Sequence, residues 1–289
     1  MKAKLFTGTC TALVTPFSEG RINYPMLEKL LTRQIDAGIR TVVLAGTTGE
    51  APTLSDDEKT ELIYRAKSFV GSSCMIIAGT GSNCTAHAQS LSKAAQQAGA
   101  DGLLIVSPYY NKATPQGLIE HYSAIAESVA IPIILYNVPS RTGLDMSVDV
   151  YRRLSHIPKI AGVKEASTDV AKVTRIINAC DSGFSVWSGC DDLAVPVISI
   201  GGQGVISVAS NICPVEVNAM VNAALDGDLD TAAAIQAQLQ PLCDLLFCEV
   251  NPIPVKAAMN YIGFDCGSCR LPLCSLSKAN LERMAKFFM

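Results

Sequence analysis

The run Ile160-Ala161-Gly162-Val163-Lys164-Glu165-Ala166 is apolar and strand-like, and it ends in a lysine. Lysine is almost never fully buried without a reason. Desolvation disfavours the ammonium form, so an amine at the end of a buried strand can be neutral and nucleophilic near neutral pH. A neutral lysine attacks ketones to form Schiff bases, which turn a carbonyl carbon into an electron sink. A lysine that merely leaves a strand snorkels to solvent instead. The ends of the other apolar runs decide between the two.

The run ending at Leu44 opens into Ala45-Gly46-Thr47-Thr48-Gly49-Glu50. Paired glycines around two hydroxyls make a tight turn whose N–H groups and hydroxyls can hold a carboxylate. The run ending at Val106 leads into Ser107-Pro108-Tyr109-Tyr110-Asn111, and another ends in Tyr136-Asn137-Val138-Pro139-Ser140-Arg141-Thr142-Gly143. A strand-end tyrosine relays protons if its hydroxyl meets another donor–acceptor such as Thr47 or Tyr110. Arg141 offers a two-pronged fork for a carboxylate. In Ser188-Gly189-Cys190-Asp191-Asp192 the two carboxylates are expected to cap the next helix rather than do chemistry. An amine, a proton relay, a carboxylate cradle and an arginine at one mouth suit imine chemistry on a 2-oxo acid.

These residues must be brought together by the elements that precede them. Apolar, β-branched runs recur at Gly8–Leu13, Thr41–Leu44, Met75–Ala78, Gly102–Val106, Ile133–Tyr136, Ile160–Lys164, Phe184–Trp187 and Gly204–Ser207. Their continuous hydrophobicity predicts strands covered on both faces, as in parallel sheets. Helix-period segments alternate with them, starting at Tyr24–Ala37 and Ser55–Val70 and ending at Pro214–Leu225. Ser55 with Glu58 three residues on reads as a capping box. Eight βα units predict a (β/α)8 TIM barrel over 1–225, with catalytic groups at the C-terminal strand ends. A doubly wound sheet would carry a Gly-rich fingerprint after its first strand, and Leu13-Val14-Thr15-Pro16-Phe17 is not one. No strand pattern follows Asp226, so 226–289 is expected to be a C-terminal helical appendage packed on the barrel.

Composition narrows the function class. At 289 residues, the chain is 49% hydrophobic and 17% charged, which implies a large core and surface hidden between subunits. A net charge of −3 without a basic cluster argues against a nucleic-acid binder. Eleven scattered cysteines read as reduced thiols of a cytoplasmic protein rather than a disulfide framework. The one local cluster, Cys266, Cys269 and Cys274, lacks the partners of a metal site, and no metal is expected. The segment Met1-Lys2-Ala3-Lys4 and the apolar residues after it faintly imitate a signal peptide, but Gly8 onward reads better as a first barrel strand. Leu193 to Val215 is uncharged yet punctuated by Pro196 and several glycines, so no membrane span is expected.

Five motifs taken together resemble the dihydrodipicolinate synthase family: Gly46–Glu50, Pro108–Asn111, Tyr136–Gly143, Gly162–Glu165 and Asn251-Pro252-Ile253-Pro254-Val255-Lys256. The first and fourth are shared with other pyruvate-dependent aldolases, including N-acetylneuraminate lyase. The arginine, the paired tyrosines and the Asn251–Lys256 run point more narrowly. The resemblance implies condensation of pyruvate with L-aspartate 4-semialdehyde to 4-hydroxy-tetrahydrodipicolinate, the first committed step of diaminopimelate and lysine biosynthesis. It implies a Schiff base on Lys164 and a proton relay of Tyr136, Thr47 and Tyr110, the last reaching a neighbouring subunit's site. It further implies Thr48 on the pyruvate carboxylate, Arg141 on the semialdehyde carboxylate, backbone contacts at Gly189 and Ile206, no cofactor, and a homotetramer of two tight dimers.

Lysine-inhibited members of that family usually carry His at the position of Asp56 and Glu at that of His87, so the resemblance also implies weak or absent inhibition by L-lysine here. A sialate or 2-keto-3-deoxy sugar-acid lyase is the nearest rival, and Arg141 speaks for a small charged second substrate instead. A non-catalytic 2-oxo-acid sensor would not need the tyrosines and the threonine of the relay.

Overall fold

The computed structural model describes residues 5–289, so the expectation for Met1–Lys4 lies outside the described residues. Eight parallel strands close into a barrel: β1 (Gly8–Ala12), β2 (Thr41–Leu44), β3 (Met75–Gly79), β4 (Gly102–Val106), β5 (Ile133–Asn137), β6 (Ile160–Glu165), β7 (Ser185–Ser188) and β8 (Gly204–Ser207). β1 pairs with both β2 and β8, which completes the ring. All eight strands expected from the apolar runs are present, displaced by at most one residue at either end. The (β/α)8 expectation holds.

Alternation along the strands makes two buried layers. Cys10, Val43, Ile77, Leu104, Ile134, Tyr136, Trp187 and Ile206 fill the barrel interior, while Val42, Ile76, Leu103, Leu135 and Val163 pack outward against the helices. The continuous hydrophobicity of the runs follows from this double burial. Phe6 stacks on Trp187 with ring centroids 4.6 Å apart inside the barrel. Gly162 makes room for that indole: a Cβ there would lie 2.0 Å from the Ser185 carbonyl oxygen and 2.8 Å from a Trp187 ring carbon.

The helices start where local chemistry predicts. Ser55 and Glu58 form the reciprocal capping box at the start of Asp56–Val70. Among the small elements that escaped the periodicity are a hairpin of Phe17–Ser18 with Arg21–Ile22 and a one-turn helix Pro139–Thr142 that carries Arg141. Beyond the barrel, the helices Leu229–Leu246, Ile253–Tyr261 and Lys278–Phe288 form the tail, which carries no strand among the described residues. Among the described residues no helix is long and apolar enough to cross a membrane.

One buried group gives the fold an acid-sensitive point. His121 shares a hydrogen bond of 2.9 Å with the Thr85 hydroxyl, and its Nε2 has no partner among the described residues. Burial pushes its pKa down to about 4. The unfolded chain, whose histidines titrate near ~6.5, therefore binds more protons than the native state in between. Stability present above that ordinary value is lost as pH falls towards the native one. Urea midpoints followed across this window should fall more steeply for the wild type than for His121→Gln, and parallel curves would refute the assignment.

Candidate active site at the barrel mouth

The C-terminal strand ends converge as the sequence requires. Tyr136 on β5 is in register with Lys164 on β6, and Lys164 with Trp187 on β7, so the three side chains project to one face. The Lys164 Nζ lies 4.6 Å from the centroid of the Tyr136 ring. Strand ends alone do not fix these groups. Behind them, Glu165 Oε1 accepts hydrogen bonds from Asn137 Nδ2 (2.8 Å) and the Ser167 amide (2.9 Å), and Oε2 accepts one from the Tyr151 hydroxyl (2.9 Å). Lys172 sits 3.6 Å from Glu165 and is also paired with Asp145. This buried network ties the ends of β5 and β6 together on their outer face, one residue beyond Tyr136 and Lys164. Burial and the neighbouring Glu165 carboxylate push the Tyr151 hydroxyl pKa well up, so it stays a donor.

Three lysines are buried among the described residues: Lys164 at 5% exposure, Lys172 at 6% and Lys256 at 1%. Two of them are committed to carboxylates, Lys172 to Asp145 and Glu165 and Lys256 to Glu50 at 2.6 Å. Lys164 alone of the three makes no ion pair among the described residues. A buried lysine without a carboxylate partner is unusual, which sets this amine apart from the other two.

Two adjoining cavities open at the mouth. One of about 300 Å³ is lined by Lys164, Tyr136, Thr48, Arg141, Gly189 and Asn251, among others. A second of about 390 Å³ shares Tyr136 and Arg141 and runs past Thr47 to Tyr109, Lys59 and His87. The loops around them hold backbone strain: Ala45, Glu50, Tyr110, Lys112 and Thr168 all have φ between 45° and 71°. Left-handed non-glycine residues concentrated on one rim are a mark of functional sites. β3 presses on one of these loops, since a Cβ at Gly79 would lie 2.1 Å from the Ala45 carbonyl oxygen.

The structure thus gathers Lys164, Tyr136, Thr48, Arg141 and Gly189 around one cavity and Thr47 beside the other. It does not bring Tyr110 to either wall; that side chain is 91% exposed. Ile206 lies inside the barrel, fully buried, and lines neither cavity. The capping expectation for Asp191 needs correction. Its Oδ2 accepts the amides of Val208 (2.9 Å) and Ala209 (3.1 Å), bracing the turn after β8 rather than the helix that it begins. Burial raises its carboxyl pKa, partly offset by the nearby Ser207 hydroxyl, which does not reach hydrogen-bond geometry with Oδ1.

Reading along the sequence missed the contribution of the tail. Asn251 Nδ2 donates to the Thr48 hydroxyl at 3.1 Å, and the Asn251 carbonyl accepts from Arg141 Nη2 at 3.0 Å. Glu50, which closes the threonine loop, is held by Lys256 at 2.6 Å and by the Arg270 amide at 2.8 Å. Cys243, Asp244 and Phe247 also line the lysine cavity. The only signal for this was the Asn251–Lys256 motif itself. The thiols of Cys266 and Cys269 are each pushed up to about 12 by burial. Among the described residues no group of three or more His, Cys, Asp or Glu side chains is placed to hold a metal ion.

Comparison with known proteins adds to this geometry. Residues 5–288 match the model of the dihydrodipicolinate synthetase family. A 4-hydroxy-tetrahydrodipicolinate synthase of Thermoanaerobacter sp. strain X514 is 47% identical over 279 residues, covering 96% of this chain and 94% of the relative. A crystal structure of dihydrodipicolinate synthase from Aquifex aeolicus superposes with a TM-score of 0.96 at 41% identity, covering 98% of this chain and 97% of that one. The enzyme from Cyanidioschyzon merolae, solved with lysine bound, superposes with a TM-score of 0.95 at 37% identity, covering 98% and 97% of the two chains.

Proposed function

Because the chain belongs to the dihydrodipicolinate synthetase family, we propose that its barrel mouth carries out the family's condensation through a Schiff base on Lys164. The enzyme is a lyase that joins pyruvate to L-aspartate 4-semialdehyde and gives 4-hydroxy-tetrahydrodipicolinate, a step of diaminopimelate and lysine biosynthesis. The observation that carries the assignment of Lys164 is its isolation: a buried amine at the cavity, with no carboxylate claiming it, beside Tyr136.

In the mechanism we propose, Lys164 Nζ adds to the pyruvate ketone to give a carbinolamine. Tyr136, Thr47 and Tyr110 pass the protons that let water leave. The resulting imine loses a methyl proton to become an enamine, and that carbon attacks the semialdehyde aldehyde. The substrate amine then closes onto the imine carbon and releases Lys164. The protonated imine is the electron sink, so the scheme needs no further group for that step. Thr48 receives the pyruvate carboxylate and Arg141 the semialdehyde carboxylate, while Gly189 and Ile206 offer backbone contacts. Holding two small charged substrates in line is the larger part of the task.

Tyr110, exposed on its own chain, belongs in our reading to the site of a neighbouring subunit within a tetramer of two tight dimers. We place the enzyme in the cytoplasm, where its thiols stay reduced. A coupled assay with pyruvate and the semialdehyde tests the reaction, and turnover of sugar acids in its place would favour a lyase of the wider superfamily.

The second cavity bears on regulation. Asp56 is engaged by His87 (2.9 Å) and by Lys59 (3.6 Å), and the His87 hydrogen bond holds its carboxyl pKa below the ordinary range. An incoming ammonium there would meet Lys59 and His87 and no uncommitted carboxylate. L-Lysine at millimolar concentration is therefore expected to leave the rate essentially unchanged. Loss of most activity at that concentration would overturn the expectation.

A further inference from the structure

We propose that Asn251 is a positioning residue that aims the Thr48 hydroxyl at the carboxylate of the keto-acid substrate; the inference rests on the functional reading above. Asn251 lies 203 positions from Thr48 in sequence, in the tail, yet its side-chain amide donates to the Thr48 oxygen at 3.1 Å. A hydroxyl has one proton and two lone pairs. With a lone pair occupied by Asn251, the proton of Thr48 is left to turn towards the cavity that Lys164 also lines. A carboxylate entering that cavity needs donors, and a donor aligned beforehand loses no freedom on binding.

The amide is not kept there for stability. Asn251 is 6% exposed, and its Oδ1 has no donor within reach among the described residues. A buried acceptor left without a partner costs the fold, whereas an apolar side chain of similar size would not. A neighbouring clamp holds the amide in register with Thr48. Lys256, one turn into the helix that follows Asn251, reaches Glu50 at the end of the threonine loop. Arg141 is bound by the Asn251 backbone carbonyl, not by its side chain. The two contacts can therefore be separated by substitution.

The test is a double-mutant cycle of Asn251→Ala and Thr48→Val, read as the pyruvate concentration that gives half-maximal borohydride trapping on Lys164 by mass spectrometry. Each single change should raise that concentration about tenfold, the worth of one hydrogen bond to a charged group. The double variant should show little further rise, because Asn251 acts through Thr48. Half-saturation by the semialdehyde should change far less, since the Arg141 contact is to the backbone. Should the alanine variant not fold, Asn251→Asp has the same size without the donor and should raise the concentration at least as much. Wild-type trapping by either Asn251 variant, or effects that multiply fully in the cycle, would overturn the inference alone. A wild-type protein that pyruvate and borohydride do not label at Lys164 would overturn the functional reading, and this inference with it.

Discussion

Lys164→Ala abolishes turnover, with an expected fall in kcat of about 10⁴-fold or more, the scale seen when a covalent nucleophile is removed. The size follows from the absence of a substitute. Lys172 and Lys256 are the other buried lysines among the described residues, and both are locked to carboxylates. The variant should remain folded. Lys164 makes no ion pair among the described residues, so its removal leaves no partner charge uncompensated. Steady-state assays together with borohydride trapping check the result: the wild type should gain a reduced pyruvate adduct on Lys164 and the variant none. Retained turnover in the variant, or an adduct on a different lysine, would end the Schiff-base assignment.

Loss of the Glu50 carboxylate should have the largest effect on stability. In Glu50→Leu, Lys256 stays 1% exposed, above the Phe17 ring at 4.0 Å, with only the Ser268 carbonyl for a partner. Breaking a buried pair from one side costs about 3–5 kcal/mol because the remaining charge is uncompensated. At about 2–4 °C per kcal/mol for a chain approaching this size, the unfolding midpoint should drop by roughly 10 °C. The double variant Glu50→Leu with Lys256→Met should recover most of the loss, since an apolar pair of similar volume fits the same space. A single variant as stable as the wild type, or a double variant no better than the single, would show that the pair does not carry the junction.

The barrel was legible because parallel strands leave a plain trace. Runs such as Ile133–Tyr136 and Gly102–Val106 are apolar throughout, and both of their faces are covered. The candidate site was legible for a related reason: a lysine, a tyrosine and paired threonines at the ends of such runs break the pattern where a mouth must form. What stayed hidden depends on distance along the chain. Asp191 caps a turn 17 residues away, Asn251 meets Thr48 across 203, and Lys256 meets Glu50 across 206. No periodicity encodes such pairings. The two-residue strands at Phe17–Ser18 and Arg21–Ile22 were too short to show a period at all. Tyr110 follows the run ending at Val106 and was legible as a candidate donor–acceptor, but its 91% exposure on this chain could not be read from the sequence.

The stapling of the threonine loop by Asn251, Lys256 and Arg270 also bears on the order of events in biosynthesis. Ribosomes deliver the polypeptide N-terminus first, so Thr47, Thr48 and Glu50 emerge long before the residues that hold them. A nascent or prematurely terminated product lacking Asn251, Lys256 and Arg270 would carry Lys164 without the contacts that hold the threonine loop. On the proposed reading, activity therefore waits on translation through at least Arg270.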